Sequence, residues 1–559
     1  MKARLLHPAQ DPGASPAAPA NAGDLCQDLE LDVLLRSMAA GDEFLLGASR
    51  ATLLAGLTEP EVIRYRQQIL SDCLAHPAAI RELYDLTVEA VTGESQLFFS
   101  IFGSSAREPD AILRNSLQIM GFFTGMLRRL RGFAGTHAAG FTSTGFSRLF
   151  AMLTAELGDA YLSAAENHLK TLKLPRGVLL SAGLGPGNHA ASYTLRSPQE
   201  EGWLKRVTGG DRSGYGFQIA DRDEAGYRAL AAIEGRGLNQ VANALAQSCD
   251  HVRAFFTALR TELAFYIGCL NLHTQLTSRG EPVCFPDPAP PGGWELSARG
   301  LYDPCLSLSI TGRCVGNDIT AGGMRLVIVT GANQGGKSTL LRGLGLAQLM
   351  TQAGMFAPAE SLRVTVRGGV FTHYKREEDA TMRMGKLDEE LSRMSGVIDQ
   401  ITPGCLLLCN ESFASTNERE GSRIARQITR GLIEAGVQVV YVTHLYDLAH
   451  GFYRDQRDSA LFLRAERRPD GRRTFRLTPG EPLPTSHGAD LYRRVFGPAG
   501  QDGAEPGNED QRGRQFAGEA KPGDGGQRRA QRRPGGHAAR EPFDALDTGE
   551  QPWTEPARG

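Results

Sequence analysis

The sequence lacks the features of several classes of protein. Its nine cysteines, among 559 residues, include no C-x-x-C pair, which argues against a disulfide framework and favours a reducing compartment. No apolar run approaches the length of a membrane span. Residues 1–22 carry basic residues without an apolar segment, so they do not resemble a secretory signal. The net charge of −2 excludes a globally basic nucleic-acid coat but not a local basic groove. These absences predict a cytoplasmic, nucleoid-associated protein without a membrane partner.

One stretch matches a phosphate-binding loop of the form G-x-x-x-x-G-K-[ST]. An apolar run over 325–330 predicts a buried strand before it, and 338–350 predicts a helix after it. In such loops the backbone N–H groups and the lysine bind the phosphates of ATP, and the first hydroxyl binds Mg²⁺. The predicted ATP-binding residues are Gly331, Ala332, Asn333, Gln334, Gly335, Gly336, Lys337, Ser338 and Thr339, with Ser338 on the metal.

Two later apolar runs each deliver polar residues at the predicted end of a strand. Residues 405–409 lead into Asn410 and Glu411, and residues 437–443 lead into His444. Ligands bind beyond the carboxyl ends of strands in open α/β sheets. We therefore expect Glu411 to act as general base or to orient the attacking water, and Asn410 to support Mg²⁺ through a water molecule. His444 is a second catalytic candidate, and its alternative is a structural role.

A further candidate phosphate contact lies in the sequence between the phosphate-binding loop and these two apolar runs. Gly385 and Lys386 open an amphipathic helix, and the N-terminus of that helix could contact a phosphate. An ordinary surface helix explains the same pattern.

Composition divides the chain into four segments. Residues 1–23, rich in Ala and Pro, predict a flexible leader. Residues 24–290 predict a helical domain, and the Pro- and Gly-rich stretch 286–293 predicts the linker that ends it. Residues 291–497 predict the nucleotide-binding domain. Residues 498–559 contain few apolar side chains and predict a disordered tail.

Two features stand out within the helical domain. Residues 176–222 are rich in glycine and predict a small irregular or β-containing insertion. From Leu238 to Leu270, apolar residues recur at steps of three and four, which predicts one long helix. About forty residues at ~1.5 Å per residue would form a rod of about 60 Å. Such a rod could transmit motion between distant sites, although an ordinary bundle helix shows the same spacing.

Several motifs together resemble the MutS DNA mismatch-repair family. T-G-A-N-Q-G-G-K-S-T at 330–339 is similar to that family's T-G-P-N-M-G-G-K-S-T, and N-E-S-F-A-S-T-N-E-R-E-G at 410–421 is similar to its D-E-x-x-x-G-T-S-T-x-x-G. V-T-H-L-Y-D-L at 442–448 is similar to its A-T-H-Y-x-E-L, and L-T-E-P-E-V-I-R-Y-R-Q at 57–67 to its helical core. The resemblance implies a multidomain protein, with an all-α core and lever domain followed by an α/β ABC-type P-loop ATPase domain.

The resemblance also implies function. It implies ATP and Mg²⁺ as cofactors, a homodimer, and a signature helix at Gly385 and Lys386 that completes the partner's active site. The sequence departs from the family at Asn410, where the family has aspartate, and this predicts weaker metal binding and slow hydrolysis. No Phe-x-Glu mismatch-reading motif occurs, and the short leader predicts that a mismatch-reading domain is absent.

Three hypotheses follow. The first is an ATP-dependent protein that binds mismatched, branched or otherwise structured DNA, couples hydrolysis to clamp and lever motion, and acts in mismatch repair or recombination. The second is a nucleotide-gated structural or interaction protein with little turnover. The third is an ABC-type ATPase that acts on another large assembly.

Overall fold

A computed structural model describes most of the chain. The described residues are 1–10, 18–101, 108–175, 177–196, 216–376, 385–456, 459–468 and 473–484. The predicted disordered tail lies outside them. Among the helices of the described residues, none combines the length and the apolar character that a membrane span needs.

The first part of the chain is helical because apolar residues recur at helical spacing. Proline sets two of its boundaries, since Pro60 occupies the first turn of one helix and Pro77 begins the next. Ile69 and Leu70, on the first of these helices, are fully buried in the core. The helices are α1 (Ala22–Asp28), α2 (Leu31–Ala39), α3 (Glu43–Ala55), α4 (Pro60–Ala75), α5 (Pro77–Ile101), α6 (Pro109–His137), α7 (Thr144–Glu156) and α8 (Asp159–Leu172).

The predicted long helix is present and longer than predicted. Helix α9 (Glu224–Ser278) has 55 residues, which corresponds to about 80 Å at ~1.5 Å per residue. Its C-terminal half is anchored, because Phe256, Leu263 and Tyr266 are fully buried against the neighbouring helices. Its first residues are mostly exposed.

The helical part is not all-α. Strands β1 (Leu180–Leu184) and β2 (Ala190–Leu195) form an antiparallel hairpin. The predicted β-containing insertion is confirmed over these residues, and the expectation of an all-α domain is wrong. Residues 197–215 of the insertion lie outside the described residues.

The second part is built on two sheets. The strands are β3 (Asp287–Ala289), β4 (Leu296–Leu301), β5 (Asn317–Thr320), β6 (Leu326–Thr330), β7 (Ser361–Thr365), β8 (Val370–Tyr374), β9 (Leu406–Asn410), β10 (Gln438–Val442), β11 (Ala460–Arg467) and β12 (Arg473–Pro479). Strands β6, β8 and β10 are buried at every position, and the sequences of β6 and β10 are mostly apolar, as expected of strands covered on both faces. The six-stranded sheet has the order β12-β11-β6-β10-β9-β8, with β12 antiparallel and the other pairs parallel. The four-stranded sheet has the order β3-β7-β4-β5.

Helices connect and cover these strands. The remaining helices of the described chain are α10 (Pro304–Ser309), α11 (Lys337–Gln352), α12 (Lys386–Gln400), α13 (Glu418–Glu434) and α14 (Tyr446–Gln456). Helix α11 is the next element after β6, α12 lies against β8, and α13 packs on β10.

The predicted linker at 286–293 is wrong in part. Within it, β3 pairs in parallel with β7, and Pro288 is opposite Val364. Because β3 is at the edge of its sheet, a proline that donates no hydrogen bond is tolerated there. Local composition cannot reveal this pairing, since the partner strand is far away in the sequence.

The predicted flexible leader is also wrong for its first residues. Leu5 is fully buried. Its N–H donates to Oε2 of Glu262 at 2.5 Å, and its carbonyl accepts a hydrogen bond from the Tyr266 hydroxyl at 2.7 Å. Contacts with helix α9 therefore fix a segment whose composition alone predicts disorder. Residues 11–17 lie outside the described residues.

Candidate nucleotide-binding site

The glycine-rich loop connects β6 to α11 in the predicted way. It begins at Gly331, with φ +117°, and ends at Gly336, with φ +91°, which caps the helix. A Cβ on Gly331 would lie 2.8 Å from the backbone nitrogen of Ala465 on β11. Any other residue would therefore clash at this position, and glycine lets the loop turn beneath the neighbouring strand.

The loop is open to solvent on one side. Asn333, Gln334 and Ser338 are exposed. Lys337 is only 6% exposed, and its Nζ donates to the carbonyls of Gly331 at 2.9 Å and Ala332 at 3.2 Å. Burial lowers the pKa of the Lys337 ammonium, against the attraction of Glu411. The loop thus offers an exposed rim around a buried cation.

Ser338 and Asn410 meet although they are distant in sequence. The Ser338 hydroxyl donates to Oδ1 of Asn410 at 3.0 Å. Both oxygens are of the hard type that Mg²⁺ accepts, and this ion takes most of its ligands from water and phosphate. No group of three His, Cys, Asp or Glu side chains within the described chain is arranged to hold a metal. The residues therefore fit a magnesium ion held jointly by protein and nucleotide, with no negative charge from Asn410.

Glu411 and His444 form the second contact of the site. Nδ1 of His444 lies 2.5 Å from Oε2 of Glu411, and the backbone N–H of His444 donates to the same oxygen at 3.1 Å. The hydrogen bond to Glu411 raises the pKa of His444. Glu411 has φ +55°, which is uncommon for a residue with a Cβ.

Strand register brings these groups together. Val442 on β10 pairs with Val329 on β6 and with Asn410 on β9. Because the three strands are parallel, their carboxyl ends lie side by side at one edge. This register places Lys337, Asn410 and His444 around a common region, as the sequence predicted.

Gly385 and Lys386, which are predicted to contact the partner's nucleotide, lie near a strand that is not adjacent to the strand before the phosphate loop. Gly385 caps helix α12, and Asp388 and Glu389 lie in its first turn. Helix α12 contacts β8, and strands β10 and β9 separate β8 from β6. The predicted helix is confirmed, and its role in binding stays a prediction.

Sequence reasoning missed a cavity between the two sheets. It has a volume of about 970 Å³ and is lined by both sheets, including Val315 near β5 and Arg473 on β12. A Cβ on Gly336 would lie 3.2 Å from the Phe475 carbonyl oxygen, so β12 borders the loop directly. The positive charge of Arg473 contributes to the lowered pKa of Lys337, although burial contributes more. No motif marks these residues, because they come from segments before the phosphate loop and after His444 that carry no recognisable pattern.

Comparison with protein-family models gives two matches. The family described as MutS2 N-terminal domain matches residues 58–279, and the family described as MutS domain V matches residues 327–481. The first range covers helices α4 to α9, and the second contains the loop, Asn410, Glu411 and His444.

Relatives align over part of their length. "Endonuclease MutS2" of Lactiplantibacillus plantarum is 34% identical over 145 residues, which are 25% of this chain and 18% of that protein. "DNA mismatch repair protein MutS" of Symbiobacterium thermophilum is 30% identical over 161 residues, 28% of this chain and 18% of that protein. The same-named protein of Thermotoga petrophila is 33% identical over 154 residues, 27% of this chain and 19% of that protein. The alignments thus span about a fifth of these relatives.

Proposed function

We propose that this chain, which belongs to the MutS family, is an ATPase that couples nucleotide hydrolysis to motion of its helical part on DNA. One observation carries the proposal. Parallel strands bring the Ser338–Asn410 pair and the Glu411–His444 pair to one edge of the sheet, beside the loop that holds Lys337. This combination supplies phosphate binding, a metal position and a base.

Each group has a distinct role in the proposed reaction. The loop N–H groups and Lys337 would bind the phosphates of ATP. Ser338 directly, and Asn410 through water, would hold Mg²⁺, which neutralises charge on the phosphates when bound. Glu411 would orient the attacking water. His444, which lies within hydrogen-bond distance of Glu411, would hold that carboxylate in place.

The cavity between the two sheets would accept the base and ribose. Its lining includes Arg473, Thr474 and Arg476 of β12, the strand whose Phe475 borders the loop at Gly336, and its volume of about 970 Å³ exceeds the lower size limit of ordinary ligand pockets, roughly 300 Å³. Arg473 borders both this cavity and the environment of Lys337, so it would lie near an anionic ligand.

Contacts at the far end of helix α11 support coupling to the helical part. Nη1 of Arg66, on α4, donates to the carbonyl of Ala353, which caps α11, at 3.1 Å. Gln352 and Leu57 exchange two hydrogen bonds, of 3.0 Å and 2.9 Å. The helix that begins at the phosphate loop therefore ends on the helical part. A shift of α11 on nucleotide binding would be transmitted to α4 and its neighbours.

The proposed assembly is a homodimer, in which Gly385 and Lys386 of one subunit complete the nucleotide site of the other. The separation of α12 from β6 in the sheet order supports a contact in trans rather than within one subunit. Its partner would be mismatched, branched or otherwise structured DNA, in mismatch repair or recombination. Binding would depend on salt through Lys and Arg contacts with phosphate.

A second candidate is a nucleotide-gated interaction protein with little turnover. Asn410 favours it, because a neutral amide at the metal position weakens attraction for Mg²⁺. An ABC-type ATPase acting on another large assembly would share the same site.

Two measurements separate these functions. The first is ATP hydrolysis by the wild type and Lys337→Ala, with and without duplex, mismatched and branched DNA. Nucleotide binding without turnover would favour the gated protein. The second is a mobility shift at several salt concentrations, in which absence of binding even at low salt would exclude DNA as the partner.

A further inference from the structure

The backbone on both sides of Ser412, the residue after Glu411, has an uncommon conformation. Ser412 is fully buried, and it lies between Glu411, with φ +55°, and Phe413, with φ +61°. Two residues with a Cβ in the left-handed region are uncommon within one turn. Such a conformation persists only where surrounding contacts determine it.

The contacts that determine it come from the two strands on either side of β9, which ends just before Glu411. The Tyr441 hydroxyl, on β10, donates to the Ser412 carbonyl at 2.8 Å. The Ser412 hydroxyl lies 2.7 Å from Nδ1 of His373, on β8, and 2.7 Å from the carbonyl oxygen of the same histidine. The His373 ring also stacks on Phe413, with centroids 5.4 Å apart.

His373 reaches in the opposite direction as well. Its Nε2 lies 2.9 Å from the carbonyl of Glu390, in helix α12. A carbonyl can only accept, so Nε2 carries a proton and donates. His373 is fully buried, and burial lowers its pKa to about 4, so the ring is neutral and its unprotonated Nδ1 shares the single proton of the Ser412 hydroxyl with the His373 carbonyl oxygen. One imidazole thereby joins helix α12 to the residue that follows Glu411.

We infer that His373 and Ser412 are positioning residues for hydrolysis, which set the orientation of Glu411 through the hydrogen bond between them and connect that orientation to helix α12. This inference rests on the proposed function of Glu411. Neither side chain forms a hydrogen bond with the loop at 331–339 within the described residues. An effect of either residue on turnover would therefore not come from a direct contact with the phosphate-binding loop.

The structure offers a matched pair of substitutions. Ser412→Ala removes the hydroxyl that bonds to His373. Ser422→Ala removes a hydroxyl on α13 that is also buried, at 5% exposure, but has no hydrogen-bond partner among the residues that the structure describes. Both variants delete the same atom from a buried serine, so a general effect of the substitution would appear in both.

The expected result is a selective loss of turnover. In Ser412→Ala, kcat should fall about tenfold, because a small misplacement of a catalytic group is costly, while the Kd for ATP changes less than about twofold. His373→Gln, which cannot bond in both directions with the same geometry, should act likewise. Ser422→Ala should match the wild type in kcat and Kd. A kcat for Ser412→Ala equal to that of Ser422→Ala would overturn the inference.

A double substitution tests whether Ser412 acts through Glu411. If it does, Ser412→Ala should cause no further loss of kcat in a Glu411→Gln background. An additive loss would indicate a separate, merely structural role and overturn the inference. Absence of wild-type turnover above the Lys337→Ala level would instead overturn the proposed function and this inference together, so the two failures are distinguishable.

Discussion

The hydroxyl of Ser338 donates to the side-chain oxygen of Asn410 across 3.0 Å, joining the start of helix α11 to the end of strand β9. In the family that the chain resembles, an aspartate occupies the position of Asn410. The amide preserves an oxygen acceptor at this point but contributes no negative charge. In the proposed site the pair would therefore offer Mg²⁺ two oxygen atoms without a negative charge from Asn410, which would reduce the electrostatic attraction for the ion.

Restoring the carboxylate should strengthen that attraction. We predict that Asn410→Asp lowers the Mg²⁺ concentration at half-maximal ATP hydrolysis, by about tenfold for one added charge near the ion. Asp447→Asn, which changes an exposed carboxylate in the first turn of α14, is a control for altered charge alone. A magnesium titration unchanged in Asn410→Asp would contradict the assignment of this position.

The contact between Glu411 and His444 predicts that the pKa of His444 depends on the carboxylate of Glu411. The hydrogen bond raises the pKa of His444 above its usual 6.5, so the ring stays protonated to higher pH in the folded protein. The stabilisation from the pair is fully present below the unfolded pKa and is lost as pH rises through the raised value. NMR titration of the ring, assigned with His444→Gln, should show a lower pKa in Glu411→Gln than in the wild type. Equal values would exclude the contact.

Glu262 predicts a second pH dependence, this time in stability. Burial raises its pKa from 4.5 to about 7, against hydrogen bonds from the backbone of Leu5 and its neighbours. Protonated Glu262 is therefore favoured in the folded state, and stability is lost as pH rises from the unfolded pKa through the folded value. The difference amounts to about 3 kcal/mol at most. Glu262→Gln keeps an acceptor for Leu5, and its free energy of unfolding should change less between pH 4.5 and 7.5 than that of the wild type. Parallel pH profiles would contradict this account.

Arg473 should contribute to nucleotide affinity. Its guanidinium borders the cavity and contributes to the potential at Lys337, and hydrogen bonds to charged groups are worth about 1.5–3 kcal/mol. Arg473→Ala should therefore raise the Kd for ATP by about tenfold or more. Arg454→Ala removes an arginine whose side chain is 73% exposed, on α14, and should leave that Kd unchanged. Equal Kd values for ATP in the two variants would contradict the placement of the nucleotide beside β12.

The sequence was most informative where local pattern and chemistry coincide. The apolar runs before Gly331, Asn410 and His444 each predicted a buried strand, and the structure confirms the three strands and shows that they pair in parallel. Such strands are recognisable because both faces are buried, which requires continuous apolar residues. Because these strands are adjacent and parallel, their carboxyl ends lie side by side at one edge of the sheet.

Other features depend on partners that are remote in sequence. Leu5 is fixed by Glu262 and Tyr266, and β3 is a strand only because β7 lies beside it. Their own compositions favour disorder and a linker, respectively. The link between His373 and Ser412 escaped prediction for the same reason, since a histidine within a strand gives no sign of what lies across the sheet.

We propose that nucleotide bound at the phosphate loop drives motion of the protein on DNA, and ATP turnover measured with and without DNA is the decisive test of this claim. Hydrolysis by the wild type should rise on addition of mismatched or branched DNA, and Lys337→Ala should show neither basal nor stimulated turnover. A rate that is the same with and without every DNA tested, in a protein that hydrolyses ATP, would contradict the claim.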